Sequence, residues 1–336
     1  MEYRNLGRSG LKVSPLCLGT MLFGDATTEA DARLIVDDAF DRGVNFIDTA
    51  DGYAGGRSEE IVGRAIAEKR DDWVLATKFA NRRGGQGPNR GGTSRKWAMQ
   101  VCEESLKRLG TDYIDILYLH KEDHATPLEE TVRALEDLVR QGKIRYFGVS
   151  NYRSWRVAEI CRIADSFGID RPVVSQPYYN LVNRMPEVEH LPACGHLGLG
   201  VFPYSPIARG VLTGKYAPGD APQQGTRVAR GDKRIMETEW REESLVVAQK
   251  IKARAEAAGI NAGQFATAWV LNNRFITGLV AGPRTMEQWL DYVGALDYAF
   301  TAEDEAFCDD LVTPGHPSTP GYNDPQYGIE GRISRA

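Results

Sequence analysis

Residues 114–151 read IDILYLHKEDHATPLEETVRALEDLVRQGKIRYFGVSN. The stretch opens with a short apolar run at 114–119, continues with apolar residues at helical spacing over 128–139, and closes with a second apolar run at 144–149. Gly142 stands where a helix would end. Runs that are apolar at consecutive positions are typical of strands buried on both faces. The stretch therefore predicts a strand, a helix and a second, parallel strand.

The same alternation extends along the whole chain. Further apolar runs lie at 16–18, 44–47, 73–77, 173–176, 200–204 and 277–281, and further helical patterns at 59–67 and 96–109. Eight strands alternating with helices predict an α/β fold, a (β/α)₈ TIM barrel, with an open doubly wound sheet as the competitor. An open sheet that binds a dinucleotide usually carries G-x-G-x-x-G after its first strand, and this sequence has no such motif. The absence favours the barrel.

The pieces outside the alternation define the predicted organisation of the chain. We predict a single barrel domain over residues 1–336, because no break in composition divides it. Residues 3–13 predict an N-terminal β-hairpin cap. Residues 206–240 predict a long loop after the seventh strand, and residues 313–336 a C-terminal tail rich in Pro, Gly, Tyr and Asp. Long loops in compact folds often serve as lids.

The composition excludes several classes of protein. Lys and Arg are scattered and the formal net charge is −5, so a nucleic-acid binder is not expected. Residues 1–10 are polar and charged, so a signal peptide is not expected, and no apolar run reaches the length of a membrane span. The five cysteines are far apart and none forms C-x-x-C. This pattern predicts a reducing, cytoplasmic location and no bound metal.

Four polar residues follow successive predicted strands at the edge where barrels carry their chemistry. Asp48 and Tyr53 follow the second strand, Lys78 ends the third and His120 ends the fourth. Each of these residue types alone is more often structural or exposed than catalytic. Together they place an acid, a phenol, an amine and an imidazole around one predicted cavity.

These four side chains indicate reduction of a carbonyl group. Lys78 follows a mostly apolar strand and needs a partner, which Asp48 can supply. An ammonium beside Tyr53 is expected to lower the pKa of its phenol from about 10 and make it a better proton donor. His120 can donate a hydrogen bond to the carbonyl oxygen. Because none of the four supplies a hydride, a cofactor must bring it.

Polar residues at the later strand ends are candidates for holding such a cofactor. Ser150, Asn151 and Gln176 can hydrogen-bond to a nicotinamide carboxamide, and Tyr204 can offer an aromatic face. Arg284 follows the eighth strand, where barrels often bind phosphate. The alternatives are a core aromatic for Tyr204 and a surface charge for Arg284.

The sequence resembles the aldo-keto reductases nearly from end to end. The motifs that carry the resemblance are GTMLFG at 19–24, NFIDTA at 45–50 followed by Tyr53, ATK at 76–78, DILYLH at 115–120, GVSN at 148–151, QPYYN at 176–180, YSPI at 204–207, GVLTGK at 210–215 and GPR at 282–284.

The resemblance implies a (β/α)₈ barrel that carries an N-terminal hairpin cap and binds NADPH at the barrel mouth. It implies a catalytic tetrad at Asp48, Tyr53, Lys78 and His120, with Tyr53 as proton donor. The implied contacts to NADPH are Ser150, Asn151, Gln176 and Tyr204 at the nicotinamide, Ser205, Ile207, Gly210 and Lys215 at the pyrophosphate, and Gly282, Arg284, Thr285 and Gln288 around the adenosine 2′-phosphate. The sequence departs from related members at two positions. Arg209 stands where they often have a small residue, and Asp291 stands where they often have Asn.

Two other functions remain open. His120 and His124 are four residues apart, as in a metal hydrolase, but His120 ends a predicted strand and Lys121 stands where a zinc protease has Glu. A cofactor-binding interaction module with little turnover, resembling potassium-channel β-subunits, would also keep the tetrad.

The substrate is expected to be a small carbonyl compound or alcohol. Met21, Phe23, Phe79 and Trp97 are candidates for an apolar substrate pocket, with ordinary packing as the alternative. The sequence predicts neither the identity of the substrate nor the oligomeric state.

Overall fold

The computed structural model of the chain describes residues 1–81, 87–219, 221, 224–329 and 331. Its strands are β1 (Arg4–Asn5), β2 (Lys12–Val13), β3 (Leu16–Gly19), β4 (Phe46–Asp48), β5 (Val74–Phe79), β6 (Ile114–Leu119), β7 (Ile144–Ser150), β8 (Val174–Gln176), β9 (Gly200–Val201) and β10 (Leu279–Ala281). Its α-helices are α1 (Glu29–Asp41), α2 (Arg57–Ile66), α3 (Arg95–Leu109), α4 (Leu128–Arg140), α5 (Ser154–Phe167), α6 (His190–Leu197), α7 (Lys233–Thr238), α8 (Glu242–Ala257), α9 (Ala262–Asn272), α10 (Met286–Gly294) and α11 (Ala302–Leu311). Within the described ranges, none of these helices is both long and apolar enough to cross a membrane.

Strands β3 to β10 form one parallel sheet in the order β10-β3-β4-β5-β6-β7-β8-β9. Backbone hydrogen bonds join its two ends: Thr277 N donates to Val201 O and Val280 N donates to Pro203 O, each at 3.0 Å. The sheet thereby closes on itself, and helices connect most of its successive strands. The predicted (β/α)₈ barrel is confirmed.

Strands β1 and β2 form the antiparallel N-terminal hairpin, with Arg4 opposite Val13. Leu6 and Val13 are fully buried in the same apolar cluster as Cys17 and Phe46 of the barrel strands. The predicted hairpin cap is confirmed. It lies against the amino ends of the strands and leaves the carboxyl ends for the polar residues described below.

Strand β9 is shorter than the predicted run 200–204. Pro203 has no N–H and cannot continue the ladder as a donor. Pairing continues around it, because Phe202 N donates to Ser175 O and Tyr204 N donates to Pro177 O, both at 3.0 Å. Tyr204 therefore still lies at the end of a barrel strand.

The chain divides into two compact units. The first comprises Met1–Tyr178, Val188–Tyr204 and Asn273–Val293, and contains the barrel strands and the hairpin. The second comprises Tyr179–Glu187, Ser205–Asn272 and Gly294–Ala336. The single-domain assignment stays a prediction.

The second unit is organised around buried Arg184. Its guanidinium donates to Asp309 Oδ1 and to the Val312 carbonyl, both at 2.8 Å, and to Glu187 Oε1 at 2.9 Å. It also lies over the ring of Trp269, 5.2 Å from the centroid. One side chain thus joins α9, α11 and the segment after the sixth barrel strand.

The predicted loop 206–240 is only partly a loop. It contains a 3₁₀ segment, Ala208–Thr213, and helix α7, which Asp232 caps by accepting hydrogen bonds from two backbone N–H groups. Residues 220, 222 and 223 of this loop and residues 330 and 332–336 of the predicted tail lie outside the described residues. The described tail packs within its own unit, where Asp324 pairs with Arg234 and Tyr322 lies under Arg241.

Gly63→Ala is expected to destabilise the fold. A Cβ added at Gly63 in α2 would lie 2.1 Å from the Leu109 carbonyl oxygen at the end of α3. Separating the two helices costs about 1–3 kcal/mol, which exceeds the gain in helix propensity of about 0.5–1 kcal/mol. Denaturant unfolding followed by circular dichroism measures the loss. Gly10→Ala is the control, because a Cβ there meets nothing within 4 Å. Equal stability of the two variants would contradict the close approach.

Candidate active site

The barrel register brings the four tetrad candidates to one edge of the sheet. Asp48 ends β4 and lies opposite Ala76 of β5, so the side chain of Lys78 lies just beyond it. His120 follows β6 and donates its backbone N–H to Phe79 O at 2.8 Å. Tyr53 begins the 3₁₀ segment Tyr53–Gly56 that follows β4.

Lys78 is fully buried and all three of its N–H donors have acceptors. The ammonium forms an ion pair with Asp48 Oδ1 and donates to Thr49 O at 2.8 Å and to the Tyr53 hydroxyl at 3.2 Å. Gln176 Nε2 donates to the other carboxylate oxygen, Asp48 Oδ2, at 3.1 Å. The buried charges are therefore paired and hydrogen-bonded, as buried charges must be.

Burial and charge act in opposite directions on the two groups that share this contact. Burial lowers the pKa of Lys78, but Asp48 and Tyr53 together raise it by more than burial lowers it. The resulting pKa is about 12. For Tyr53, burial raises the pKa of the phenol and Lys78 lowers it less. The expectation of a lowered Tyr53 pKa is therefore wrong, because desolvation outweighs the ammonium. The phenol keeps its proton at neutral pH, which a proton donor requires.

His120 lies beside Tyr53 as a neutral ring. The two rings meet edge to face, with centroids 5.9 Å apart and planes at 80°. Burial, and then the charges of Lys78 and Lys121, lower the pKa of His120 to about 3. A neutral imidazole can donate one hydrogen bond to a carbonyl oxygen but carries no extra proton to transfer.

The predicted nicotinamide contacts form one hydrogen-bonded group. Ser150 Oγ donates to Gln176 O at 2.9 Å, and Asn151 Nδ2 donates to Ser150 Oγ at 3.0 Å. The Tyr204 hydroxyl donates to Asn151 Oδ1 at 2.8 Å, and its ring stacks on Tyr178 with centroids 5.6 Å apart. Asn151 Nδ2 also reaches the carbonyl of His120, which links this group to the tetrad.

The candidates for the 2′-phosphate come together where α10 begins. Gln288 Oε1 accepts from the Arg284 backbone N–H at 2.9 Å, and Gln288 N donates to Thr285 Oγ1 at 3.3 Å. Thr27 Oγ1 donates to Arg284 O at 2.9 Å. Gly282 is exposed at the end of β10.

The predicted pyrophosphate residues belong to the second unit. Ser205, Ala208 and Arg209 all have left-handed backbone conformations, with φ of 57°, 49° and 50°, and Gly210 has φ of 94°. Turns with left-handed residues can bind anions through their backbone N–H groups. In this turn the N–H groups of Ala208 and Gly210 donate to Ser205 O and Ile207 O, each at 2.9 Å. A Cβ at Gly210 would lie 2.9 Å from the Lys215 ammonium nitrogen, so glycine leaves room for this cation. Ile207 lies inside the same turn.

Arg209, one of the two departures noted above, forms an ion pair with buried Glu239 and donates to Thr238 Oγ1 at 3.0 Å. This pair connects the 3₁₀ segment to the end of α7 within the second unit.

The candidate substrate-pocket residues differ in exposure. Phe23, Phe79 and Trp97 are buried, whereas Met21 is 43% exposed. Core residues and pocket residues are both buried, so the pocket assignment stays a prediction.

Sequence reasoning missed two groups at the site. The Thr49 carbonyl accepts a hydrogen bond from Lys78, and Asn81 Nδ2 lies 3.1 Å from His120 Nδ1. Asn81 lies three residues after Lys78, just beyond a strand, and this position is the sequence feature that could have identified it as a site residue. As for the metal-hydrolase alternative, no cluster of three or more possible metal ligands occurs within the described ranges, and His124 lies beside Glu122 and Arg156.

Comparison with known proteins identifies the family. The model of the aldo/keto reductase family matches residues 15–313. Two proteins named "Probable voltage-gated potassium channel subunit beta", from Oryza sativa subsp. japonica and Arabidopsis thaliana, are each 38% identical over 302 residues, which cover 88% of this chain and 92% of theirs. "Uncharacterized oxidoreductase YrpG" of Bacillus subtilis (strain 168) is 38% identical over 330 residues, 95% of this chain and 98% of its own. The family and the last relative support oxidoreductase activity. The chain belongs to the aldo/keto reductase family.

Proposed function

We propose that this protein is an NADPH-dependent carbonyl reductase that interconverts an aldehyde or ketone and an alcohol. The observation that carries the proposal is the contact between buried Lys78, Asp48 and the Tyr53 hydroxyl, with the neutral His120 ring beside it. Its small-molecule substrate carries the carbonyl group in one direction of the reaction and the alcohol group in the other.

NADPH, when bound, supplies the hydride that reaches the carbonyl carbon. His120 donates a hydrogen bond to the carbonyl oxygen and polarises it. The Tyr53 O–H bond breaks and its proton moves to that oxygen, which completes the alcohol. The phenolate left on Tyr53 is stabilised by the Lys78 ammonium, 3.2 Å from its oxygen. Asp48 keeps Lys78 charged and oriented throughout.

The residues of the first unit fit the nicotinamide and the adenosine 2′-phosphate. Both N–H groups of Asn151 and one of Gln176 already donate within the protein. The proposed contacts to a carboxamide are therefore the second lone pair of Asn151 Oδ1 and the remaining hydrogen-bonding capacity of Gln176 and Ser150. Tyr204 is fixed by its hydroxyl and by its stacking on Tyr178, so it presents a rigid aromatic ring. Arg284 would hold the 2′-phosphate with Thr285, Gln288 and Gly282 around it.

In the second unit, Ser205, Ile207, Gly210 and Lys215 are proposed to contact the pyrophosphate. The left-handed turn over 205–210 and the ammonium close to Gly210 support this role.

Arg284→Ala is expected to weaken NADPH binding much more than NADH binding, because only NADPH carries the 2′-phosphate. A hydrogen bond to a charged group contributes about 1.5–3 kcal/mol, so the Kd for NADPH should rise about 10- to 100-fold. Fluorescence titration with each nucleotide measures the change. Arg162→Ala, which removes an exposed arginine on α5, is the control. Equal weakening of both nucleotides would exclude the assignment of Arg284.

A cofactor-binding interaction module is the second candidate function. It is favoured by the two relatives named as potassium-channel β-subunits. NADPH oxidation measured with a panel of simple aldehydes and ketones separates the two functions. Turnover supports the reductase, whereas tight NADPH binding without any turnover supports the module.

A cytoplasmic location is proposed from the cysteines. All five are buried free thiols. Thiols that stay reduced are typical of proteins in reducing compartments.

A further inference from the structure

Asn81 places its side chain against the imidazole of His120. Its Nδ2 lies 3.1 Å from His120 Nδ1, which is hydrogen-bond distance. The two residues follow neighbouring strands, β5 and β6, and the backbone N–H of His120 already donates to Phe79 O. The ring is therefore held from its backbone and at one of its two nitrogens.

The backbone before Asn81 is strained. Ala80 is buried and has φ of 131°, a conformation that residues with a Cβ rarely adopt. Such positions cost about 1–3 kcal/mol and persist only when their surroundings impose them. Here the Ala80 carbonyl accepts from Gly92 N at 2.9 Å. The strained residue turns the chain at the strand end, directly before the side chain that reaches His120.

The contact determines where the imidazole carries its proton. A neutral imidazole has one N–H and one lone pair, and the hydrogen bond at one nitrogen fixes the other. An amide N–H that donates to Nδ1 requires the lone pair there, so the proton is on Nε2. Within the described ranges, Nε2 has no hydrogen-bond partner from the protein. It is the nitrogen left to donate to a substrate oxygen.

We propose that Asn81 is a positioning residue that holds His120 as the Nε2–H tautomer, so that the ring can donate a hydrogen bond to the substrate carbonyl. The inference rests on the proposed function and deepens it. Asn81 acts through His120 and takes no part in proton or hydride transfer.

Asn81→Asp keeps the shape of the side chain and reverses its hydrogen bonding. The carboxylate accepts from Nδ1–H, leaves the lone pair on Nε2, and raises the pKa of His120. The groups that already face the ring within the described ranges are Lys78, Lys121 and the Tyr53 phenol. At pH 8, kcat/KM for carbonyl reduction should fall about 100-fold, the effect of losing one oxyanion donor.

The pH profile of Asn81→Asp should then differ from that of the wild type. As the pH falls through the raised pKa of His120, the ring gains a proton and Nε2 becomes a donor again. The kcat/KM of the variant should therefore rise on acidification. The wild type should show no such rise, because the pKa of about 3 keeps His120 neutral over the working range.

Nitrogen-15 NMR of histidine-labelled protein reads the tautomer directly, without substrate. The His120 signals are assigned by their loss in His120→Gln. The expected result is an unprotonated Nδ1 in the wild type, a protonated Nδ1 in Asn81→Asp, and a mixture in Asn81→Leu. A protonated Nδ1 in the wild type, or the same tautomer in all three proteins, would overturn the proposal.

The proposed function and the positioning role of Asn81 can be contradicted independently of each other. If the NMR result is as expected but no carbonyl compound is reduced, the proposed function is wrong and the positioning by Asn81 stands. If carbonyl compounds are reduced but the tautomer and the pH profile do not depend on Asn81, only the positioning role is wrong.

Discussion

Tyr53→Phe should lose about 10²- to 10⁴-fold in kcat for carbonyl reduction and retain NADPH binding. The variant removes one oxygen, the one that Lys78 contacts at 3.2 Å, and leaves the ring beside His120. Without the phenolic hydroxyl, the developing alkoxide loses its proton donor. Steady-state NADPH oxidation and fluorescence titration of NADPH measure the two properties.

The control is Tyr113→Phe, which removes an equivalent oxygen from a tyrosine that contacts Asp71 away from the tetrad. Its turnover and its NADPH affinity should match those of the wild type. Wild-type turnover in Tyr53→Phe would show that the proton comes from another group.

Lys78→Met should lose both activity and stability. Asp48 is 2% exposed, and without the ammonium its carboxylate is a buried charge held only by the hydrogen bond from Gln176. Removing one partner of a buried ion pair costs about 3–5 kcal/mol. The free energy of unfolding from denaturant titration should fall by that amount, whereas Lys250→Met, at an exposed position on α8, should change little.

A double variant separates the two effects of Lys78. Adding Asp48→Asn to Lys78→Met removes the uncompensated charge, so a large part of the lost stability should return. Activity should not return, because Tyr53 still has no ammonium to stabilise its phenolate. A double variant as unstable as Lys78→Met would show that lost packing, and not the buried charge, causes the destabilisation.

The barrel could be predicted because its signals are local. A stretch such as 114–151 contains a strand, a helix and a strand together with the residues that end them. The tetrad candidates could be placed for the same reason, since each follows directly after a strand. Strand β9 is shorter than predicted, and Pro203, which has no N–H to donate, lies just beyond it.

The remaining features depend on three-dimensional surroundings that no sequence pattern carries. The pKa of Tyr53 rises because burial outweighs a neighbouring charge, and burial is known only from the folded chain. Asn81, which contacts His120, directly follows Ala80, and the positive φ of Ala80 is not signalled by an alanine in the sequence. The Arg209–Glu239 pair joins residues that are distant along the chain.

Lys78 illustrates what full hydrogen bonding does to a primary amine. An amine attacks an aldehyde only through a free lone pair, which requires a deprotonated nitrogen. Here all three N–H groups are engaged and the pKa is about 12, so that lone pair is essentially never present at neutral pH. An aldehyde placed beside this lysine would therefore form no imine with it. The ion pair and hydrogen bonds that hold this ammonium beside Tyr53 therefore also keep its nitrogen from acting as a nucleophile.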